Sequence, residues 1–154
     1  MTAPTARALG INHVALEVGD IAEALAFYGS LVEFEVHRQS ESAAFVYFGD
    51  QFINFSKGRS QAQDASRHFG LVVDDKEAVR ERLAEIDVEV LPGRFLDFLD
   101  PWGNRVEIVS YQNVRFTKAP EVLAGMGIED PGKNDQARAE LEKAGMARDP
   151  SQPA

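Results

Sequence analysis

The chain has no cysteine, only three histidines and fewer basic than acidic residues, and each shortage excludes a class of protein. Without cysteine it has neither disulfides nor thiolate metal ligands, which fits a reducing compartment and predicts a cytoplasmic location. A net charge of −9 argues against a nucleic-acid partner, because nucleic-acid-binding proteins cluster Lys and Arg. No apolar run approaches the ~18 residues of a membrane span, and the N-terminal MTAPTARALG lacks the apolar core of a secretory signal. We therefore expect neither a nucleic-acid nor a membrane partner.

What remains is enough for a folded domain. Hydrophobic residues make up 44% of the 154 positions, and ten of them are Phe. Such a composition excludes disorder along the whole chain and supplies a hydrophobic core. Any metal site must draw on His, Asp or Glu.

An internal repeat organises the first two thirds of the chain. The segment NHVALEVGD at 12–20 recurs as RHFGLVVDD at 67–75, an offset of 55 residues. In each copy apolar and polar residues alternate as in a half-buried strand, and an Asp at the end is a typical helix N-cap. The repeat predicts one module at 10–58 and a second at 66–112 within a single domain, 1–112.

Periodicity and turn residues assign the same order of elements, βαβββ, to both modules. Because one such module cannot cover both faces of its sheet, we predict an α+β fold in which the two form a curved mixed sheet around a cavity. Residues 113–154 are predicted to form a helical, partly disordered extension. The predicted strands are Ile11–Val18, Phe34–His37, Ala43–Phe48 and Phe52–Ser56, then Arg67–Val73, Val88–Leu91, Phe95–Leu99 and Arg105–Tyr111; the predicted helices are Ile21–Leu31, Asp74–Ile86, Thr117–Met126 and Asp135–Ala144, and 148–154 is predicted to be disordered.

Three potential metal ligands lie on the polar faces of these strands. His13 and His68 occupy matched positions of the repeat, and Glu107 alternates with Val106 and Ile108. A carboxylate that points into a concavity is costly to bury unless it is paired or bound to a metal. The pattern predicts one divalent ion held by two imidazoles and one carboxylate.

The repeat, the strands INHVALEV and RHFGLVV and the ending DPWGNRVEIV resemble the vicinal oxygen chelate superfamily over roughly residues 10–112. This group includes glyoxalase I, extradiol dioxygenases, fosfomycin-resistance thiol transferases and metal-free bleomycin-binding proteins. Its metal ligands come from the first and last strands of each module, which implies His13, His68 and Glu107 here. The last strand of module one offers Ile53 or, with a one-residue shift, Asn54, so the pattern resembles the two-His, one-Glu members rather than four-ligand glyoxalases.

Three protein ligands would leave open positions on the ion, as catalytic sites do. Such a donor set suits Fe, Mn, Zn, Ni or Co. The resemblance implies an enzyme that chelates a small oxygenated metabolite through two neighbouring oxygens, with isomerase or lyase, dioxygenase and transferase chemistry all open. The alternative is a metal-free small-molecule binding protein of the bleomycin-resistance type.

Six further residues are candidates for the chemistry around the ion. Because related two-module proteins often pair as dimers, the resemblance also implies a homodimer, in which His13 would come from one subunit and His68 with Glu107 from the other. The candidate catalytic residues are Tyr111 and His37, and the candidate substrate-binding residues are Arg94, Lys57, Trp102 and Asn54.

Overall fold

The computed structural model describes residues 5–146, so the predicted disorder of 148–154 lies outside the described residues. The first module has the predicted order of one strand, one helix and three strands. Asp20 caps its helix, accepting hydrogen bonds from the backbone N–H groups of Ala22 and Glu23. Its elements are β1 (His13–Val18), α1 (Ile21–Leu31), β2 (Glu35–Gln39), β3 (Ala43–Phe48) and β4 (Gln51–Lys57).

The four strands of the first module form a mixed sheet in the order β1-β4-β3-β2. β1 and β4 are parallel, with Ala15 opposite Asn54, and β4 and β3 are antiparallel, with Asn54 opposite Phe45. The alternate residues of these strands, such as Leu16 and Phe55, are buried. The other face of the sheet carries His13 at one edge and is partly open.

The second module repeats this arrangement with one strand fewer. It contains β5 (Phe69–Val73), α2 (Lys76–Glu85), β6 (Leu96–Leu99) and β7 (Arg105–Ser110), with strand order β5-β7-β6. β5 and β7 are parallel and β6 and β7 antiparallel, so one row across the sheet reads Gly70, Glu107, Asp97. The predicted α+β class with two related modules of mixed strand direction is confirmed. Strand pairing stays within each module, so one chain carries two open sheets.

The predicted strand Val88–Leu91 was wrong. Only Val90 pairs there, in an isolated bridge to Phe98, and the N–H of Leu91 adds one hydrogen bond to the carbonyl of Asp97 at 2.7 Å. The segment is confined between Asp87, whose φ of 58° is left-handed, and Pro92, which has no N–H to donate. Between these two turns, one residue forms a β-bridge and no strand develops.

The apolar faces of both sheets and of both helices share one core. Val79 and Leu83 of α2 belong to the same buried cluster as Tyr28 of α1, and the two helices contact each other. Each large apolar side chain that is fully buried there contributes about 1.5–3 kcal/mol. The largest fully buried side chains are Tyr28, Phe55, Phe98, Leu83, Leu96, Ile108, Val18, Val46 and Val106.

The turn between β6 and β7 locks the modules together. Asp100, 4% exposed, accepts hydrogen bonds from the backbone N–H groups of Trp102 and Asn104 and from the hydroxyl of Tyr28 in the first module. The amide of Asn104 donates to Asp100 and to the carbonyl of Glu17. Burial and the Asp100 carboxylate raise the pKa of Tyr28 well above its usual value, so its hydroxyl remains a donor.

The extension after β7 forms a short 3₁₀ turn (Tyr111–Asn113) and two helices, α3 (Pro120–Gly125) and α4 (Asp135–Lys143). It reaches back to the β3–β4 turn of the first module, where Lys118 pairs with Asp50 and where α3 approaches Gly49. Over residues 5–146, none of the helices combines the length and the apolar character needed to cross a membrane.

Candidate metal centre

His68 and Glu107 form the centre of the candidate site. His68 directly precedes β5, and Glu107 lies on β7, the neighbouring parallel strand. Nε2 of His68 lies 3.4 Å from Oε2 of Glu107, and their side chains are 40% and 20% exposed. The structure therefore brings together two of the three predicted ligands on the open face of the second sheet.

The hydrogen bond of His68 determines which ring nitrogen faces the carboxylate. Nδ1 lies 2.8 Å from the carbonyl oxygen of Ser66, which can only accept, so Nδ1 carries the proton. In the neutral ring Nε2 then presents a lone pair toward the carboxylate oxygen of Glu107. Two acceptors that converge in this way are stabilised by a proton or a cation between them, as in metal sites where the second ring nitrogen is held by a carbonyl.

His13 is held in a similar way on the other sheet. Its Nδ1 lies 2.9 Å from Oδ1 of Asn12, and among residues 5–146 no hydrogen bond engages its Nε2. Its ring stacks on Phe52 at 4.6 Å and is exposed. Within residues 5–146, however, a single chain does not assemble three His, Asp or Glu side chains into one group that could hold a metal. His13 therefore presents Nε2 as a candidate ligand atom, but within one chain it does not lie close to His68 and Glu107.

Strand register identifies the module-one counterpart of Glu107. Glu107 pairs with Gly70, two residues after His68, and Asn54 pairs with Ala15, two residues after His13. Of the two positions that the sequence left open, Asn54 is therefore the equivalent one and Ile53 faces the core. Oδ1 of Asn54 is buried and has no hydrogen-bond partner among the described residues.

Aromatic rings cover the open face of the first sheet. Phe52 contacts His13 on one side and Tyr47 on the other, where the centroids are 5.0 Å apart. Phe45 lies 5.9 Å from Phe52, and His37 meets Tyr47 edge-on at 5.3 Å. We call these five residues the aromatic wall. It starts at a metal-ligand candidate and extends across the sheet.

The two predicted catalytic residues lie away from the ligands. His37 is on β2, three strands from His13, a separation of roughly 14 Å at ~4.8 Å per strand. Tyr111 lies under the C-terminal extension, where its hydroxyl accepts from the N–H of Lys118 and its ring faces the Lys133 ammonium at 3.3 Å. Burial lowers the pKa of Lys133. A small cavity of about 60 Å³ next to Tyr111 also belongs to this contact with the extension.

The predicted substrate-binding residues other than Asn54 are also dispersed. Lys57 pairs with Asp20 at 3.3 Å at the end of β4, and Arg94 lies on an exposed loop over the ring of Phe95. Trp102 packs against Gly19 at the contact between the modules. None of these three contacts involves His68 or Glu107.

Sequence analysis missed Asp97, a buried carboxylate beside Glu107. Its residue is 4% exposed, and it receives hydrogen bonds on Oδ2 from Nε and Nη2 of Arg105. The sequence feature that could have identified Asp97 is an acidic residue between Leu96 and Phe98 in a short strand. It lies on the same polar face of the sheet as Glu107. Asp is depleted in strands, so such a position calls for a specific partner.

Comparison with known proteins agrees with this architecture. Residues 10–108 match the family model described as Glyoxalase/Bleomycin resistance protein/Dioxygenase superfamily. The solved structures that resemble the chain include the fosfomycin resistance protein FosX from Listeria monocytogenes complexed with Mn(II) and sulfate, at TM-score 0.60 and 20% identity over 78% of this chain and 99% of that one. FosX from Mesorhizobium loti matches at TM-score 0.57 and 17% identity over 66% and 92%. A protein from the mobile metagenome of V. Pseudocholerae matches at 0.56 and 22% over 71% and 99%. At these identities the similarity establishes the fold.

Proposed function

The chain belongs to the glyoxalase/bleomycin resistance protein/dioxygenase superfamily, and we propose that it is a metal-dependent enzyme of this group. The proposed site consists of His13, His68 and Glu107 and binds one divalent transition metal. Its substrate is a small oxygenated metabolite that chelates the ion through two neighbouring oxygens. When bound, the ion would supply Lewis-acid stabilisation of negative charge on those oxygens.

One observation carries this proposal: Nε2 of His68 lies 3.4 Å from the carboxylate of Glu107, while Nδ1 of the same ring lies 2.8 Å from the carbonyl oxygen of Ser66. Metal-binding histidines commonly donate from the second ring nitrogen to a backbone carbonyl in this way, which directs the other nitrogen toward the ion. His13 repeats this arrangement through Asn12. Imidazole and carboxylate suit Mn, Fe, Co, Ni or Zn, and the similar FosX structure was determined with Mn(II).

We further propose that the site is completed between two copies of the chain. His13 lies on the edge strand of one sheet, and His68 flanks the edge strand of the other. Next to His13 the segment 5–12 is exposed, with Leu9 at 99% and Ile11 at 72% exposure. Large exposed apolar side chains beside an unpaired strand edge favour association. A homodimer in which each first sheet faces the partner's second sheet would join His13 to a His68–Glu107 pair.

In such a dimer the residues of this chain have distinct roles. Glu107 and His68 bind and orient the ion, and the aromatic wall packs against the carbon skeleton of the substrate while excluding water. Asn54 lies on the same face, and its buried Oδ1 meets no donor among residues 5–146. His37 lies at the far rim of the wall, on β2 and three strands from His13.

Metal titration tests the ligand set. Purified protein, freed of metal and then titrated with Mn(II), is expected to bind one ion per chain, and His68→Ala or Glu107→Gln is expected to abolish stoichiometric binding. His37→Ala is the matched control, because it removes the one histidine that we do not place among the metal ligands. Failure of the wild-type chain to bind any of the five metals would overturn the enzyme proposal and leave the metal-free binding protein.

Mixing two inactive variants tests whether the site is shared. His13→Ala and His68→Ala chains each lack one ligand, so neither homodimer has an intact site. If the ligands come from different chains, each mixed dimer regains one complete site, and a random mixture recovers about one quarter of the wild-type metal capacity. If all three ligands come from one chain, mixing recovers none.

A further inference from the structure

The helix α3 is held to the first module by few contacts. It has six residues, none of them fully buried, and no side chain caps its first turn. Helices this short are unstable in water by themselves, so α3 depends on the surface against which it packs. That surface is the β3–β4 turn, where Lys118, two residues before α3, pairs with Asp50 and donates to the carbonyl of Phe48 at 3.1 Å.

Met126, the residue that ends α3, makes the apolar part of this contact. A Cβ atom at Gly49 of the β3–β4 turn would lie 2.7 Å from Sδ of Met126 and 2.8 Å from Cγ1 of Val122. The thioether therefore rests on backbone that carries no side chain. Gly49 has a φ of 69°, a conformation that other residues rarely adopt, so the turn itself favours the residue that permits this close approach.

Met126 is accessible as well as packed. The residue is 37% exposed and borders the cavity of about 60 Å³ under the extension. A small molecule in solvent therefore reaches a side chain on which a packing contact depends. Among residues 5–146 the one other methionine is Met146, which is 64% exposed and follows α4.

The chemistry that a thioether offers to a small oxidant is the transfer of one oxygen atom. The sulfur attacks one oxygen of a hydroperoxide, an S–O bond forms as the O–O bond breaks, and the proton of the transferred oxygen passes to the leaving oxygen. The sulfur loses two electrons, and hydrogen peroxide is reduced to water. The sulfoxide places a polar oxygen where an apolar group was packed, and such a group is costly to bury without a partner.

We propose that Met126 is a modification site for hydroperoxides and that its sulfoxide releases α3 from the β3–β4 turn. The cavity beside Met126 is also lined by Leu123 of α3 and by Val72 and Val73 at the end of β5. Release of α3 therefore exposes apolar side chains of the second module to solvent. The inference goes beyond the proposed function and does not depend on a metal ion.

The release is confined to α3, because α4 is anchored elsewhere. Ala137 and Leu141 of α4 are buried. The N–H of Asn134, the residue that caps α4, donates to the carbonyl of Gln112 at 2.9 Å. The amides of α4 therefore provide an internal reference for any change in α3.

Hydrogen exchange of the full-length protein, before and after treatment with hydrogen peroxide, tests the proposal. Peptide mapping by mass spectrometry measures the sulfoxide at each methionine. In chains oxidised at Met126 the amides of 121–128 are expected to exchange about tenfold faster, because a polar group left unpaired in a packed contact is destabilising by that order. The amides of 135–144 are expected to keep their rates. Methionine sulfoxide reductase is expected to restore the original exchange.

Two variants at position 126 separate this oxidation from other damage. Met126→Leu keeps an apolar side chain without sulfur, so peroxide should leave its α3 exchange unchanged. Met126→Gln carries a polar carbonyl at a similar reach and should accelerate α3 exchange about tenfold without peroxide. Met146→Leu is the matched control, because it removes the other described methionine and should respond to peroxide as the wild type does.

The results that overturn the inference are equally specific. Complete oxidation of Met126 with unchanged exchange in α3 would show that the contact tolerates the sulfoxide. Met126 that stays reduced while Met146 is fully oxidised would show that the oxidant does not reach it. Faster exchange in peroxide-treated Met126→Leu, or a loss of protection that extends equally to α4, would assign the change to damage elsewhere. If Met126→Gln does not fold, the oxidised wild type decides between these results.

Discussion

The two modules share one register but differ in what that register carries. Across the second sheet the row reads Gly70, Glu107, Asp97, and across the first it reads Ala15, Asn54, Phe45. One row is acidic, and the other is neutral and aromatic. The two copies of the repeat agree in the apolar residues that build the strands and differ in the residues on the open face of each sheet. We infer that one sheet supplies the charges for an ion and the other supplies a surface for carbon.

The modules also differ in how their last turns are held. Two hydrogen bonds join the turn of the second module, 100–104, to the first module, one from the hydroxyl of Tyr28 and one to the carbonyl of Glu17. The corresponding turn of the first module, 49–50, is covered by the C-terminal extension, with Lys118 on Asp50. Each module therefore depends on a segment from outside itself, and variants at these contacts probe that dependence.

The largest effect is expected from removing the lock between the modules. Asp100→Ala deprives the Tyr28 hydroxyl, the amide of Asn104 and two backbone N–H groups of their acceptor in a buried turn. We expect a loss of about 4 kcal/mol in the free energy of unfolding, measured by urea denaturation.

Two comparisons make that result specific. Asp100→Asn keeps one acceptor oxygen and should lose less. Asp20→Ala removes an exposed helix cap and an exposed ion pair with Lys57, which together are expected to lower the free energy of unfolding by about 1 kcal/mol. A loss for Asp100→Ala no larger than that for Asp20→Ala would contradict the role of the turn as a lock.

A smaller effect is expected where a side chain of module two approaches module one. Gly19 occupies the position that Asp74 holds in the second copy, and a Cβ at Gly19 would lie 2.5 Å from Nε1 of Trp102. Gly19→Ala should therefore displace the indole and lower the free energy of unfolding by about 2 kcal/mol. Gly10→Ala is the control, because its Cβ would meet nothing within 4 Å. Equal melting temperatures for the two variants would show that the Trp102 contact is dispensable.

A carboxylate at position 54 would remove the main chemical difference between the central residues of the two rows, Asn54 and Glu107. In Asn54→Glu the first module gains at its last strand the residue that Glu107 provides in the second. Because an added anionic ligand strengthens binding of a divalent ion, we expect Mn(II) affinity to rise about tenfold. Asn54→Gln has the same length without the charge and should leave the affinity unchanged. A Glu variant that binds Mn(II) no better than the Gln variant would place position 54 out of reach of the ion.

Much of this asymmetry is predictable from the sequence, since alternation and the repeat locate the strands and their polar faces. The positions of His13, His68 and Glu107 follow from that alternation. What the sequence does not reveal is which polar residues on one face meet: Asp97 and Glu107 are ten positions apart, and only the β6–β7 register places them opposite each other.

Long-range contacts also explain why the predicted strand Val88–Leu91 does not form. The alternation of Val88–Leu91 is that of a strand, but the number of pairs that it forms depends on the left-handed turn at Asp87 and on Pro92. Likewise the location of Tyr111 depends on where the extension packs, because Lys118 and Lys133 enclose it. Local pattern carries no information about either.

The smallest expected effect concerns the linker between the modules and appears only in acid. Burial by itself raises the pKa of Asp64, but hydrogen bonds from the Arg67 side chain and the Arg105 N–H, with the charges of Arg67 and Arg59, outweigh it and hold the pKa below its ordinary value of 3.8. A carboxylate whose pKa is lowered on folding stabilises the folded state at every pH above its unfolded pKa. That stabilisation is lost as the pH falls through the folded pKa.

The difference in melting temperature between wild type and Asp64→Asn should therefore be constant above about pH 5 and should narrow below about pH 4. The matched control Gly10→Ala changes no titrating group, so its difference from the wild type should not vary with pH. A gap for Asp64→Asn that widens in acid would reverse the sign and would mean that the linker is held by contacts other than the charge of Asp64.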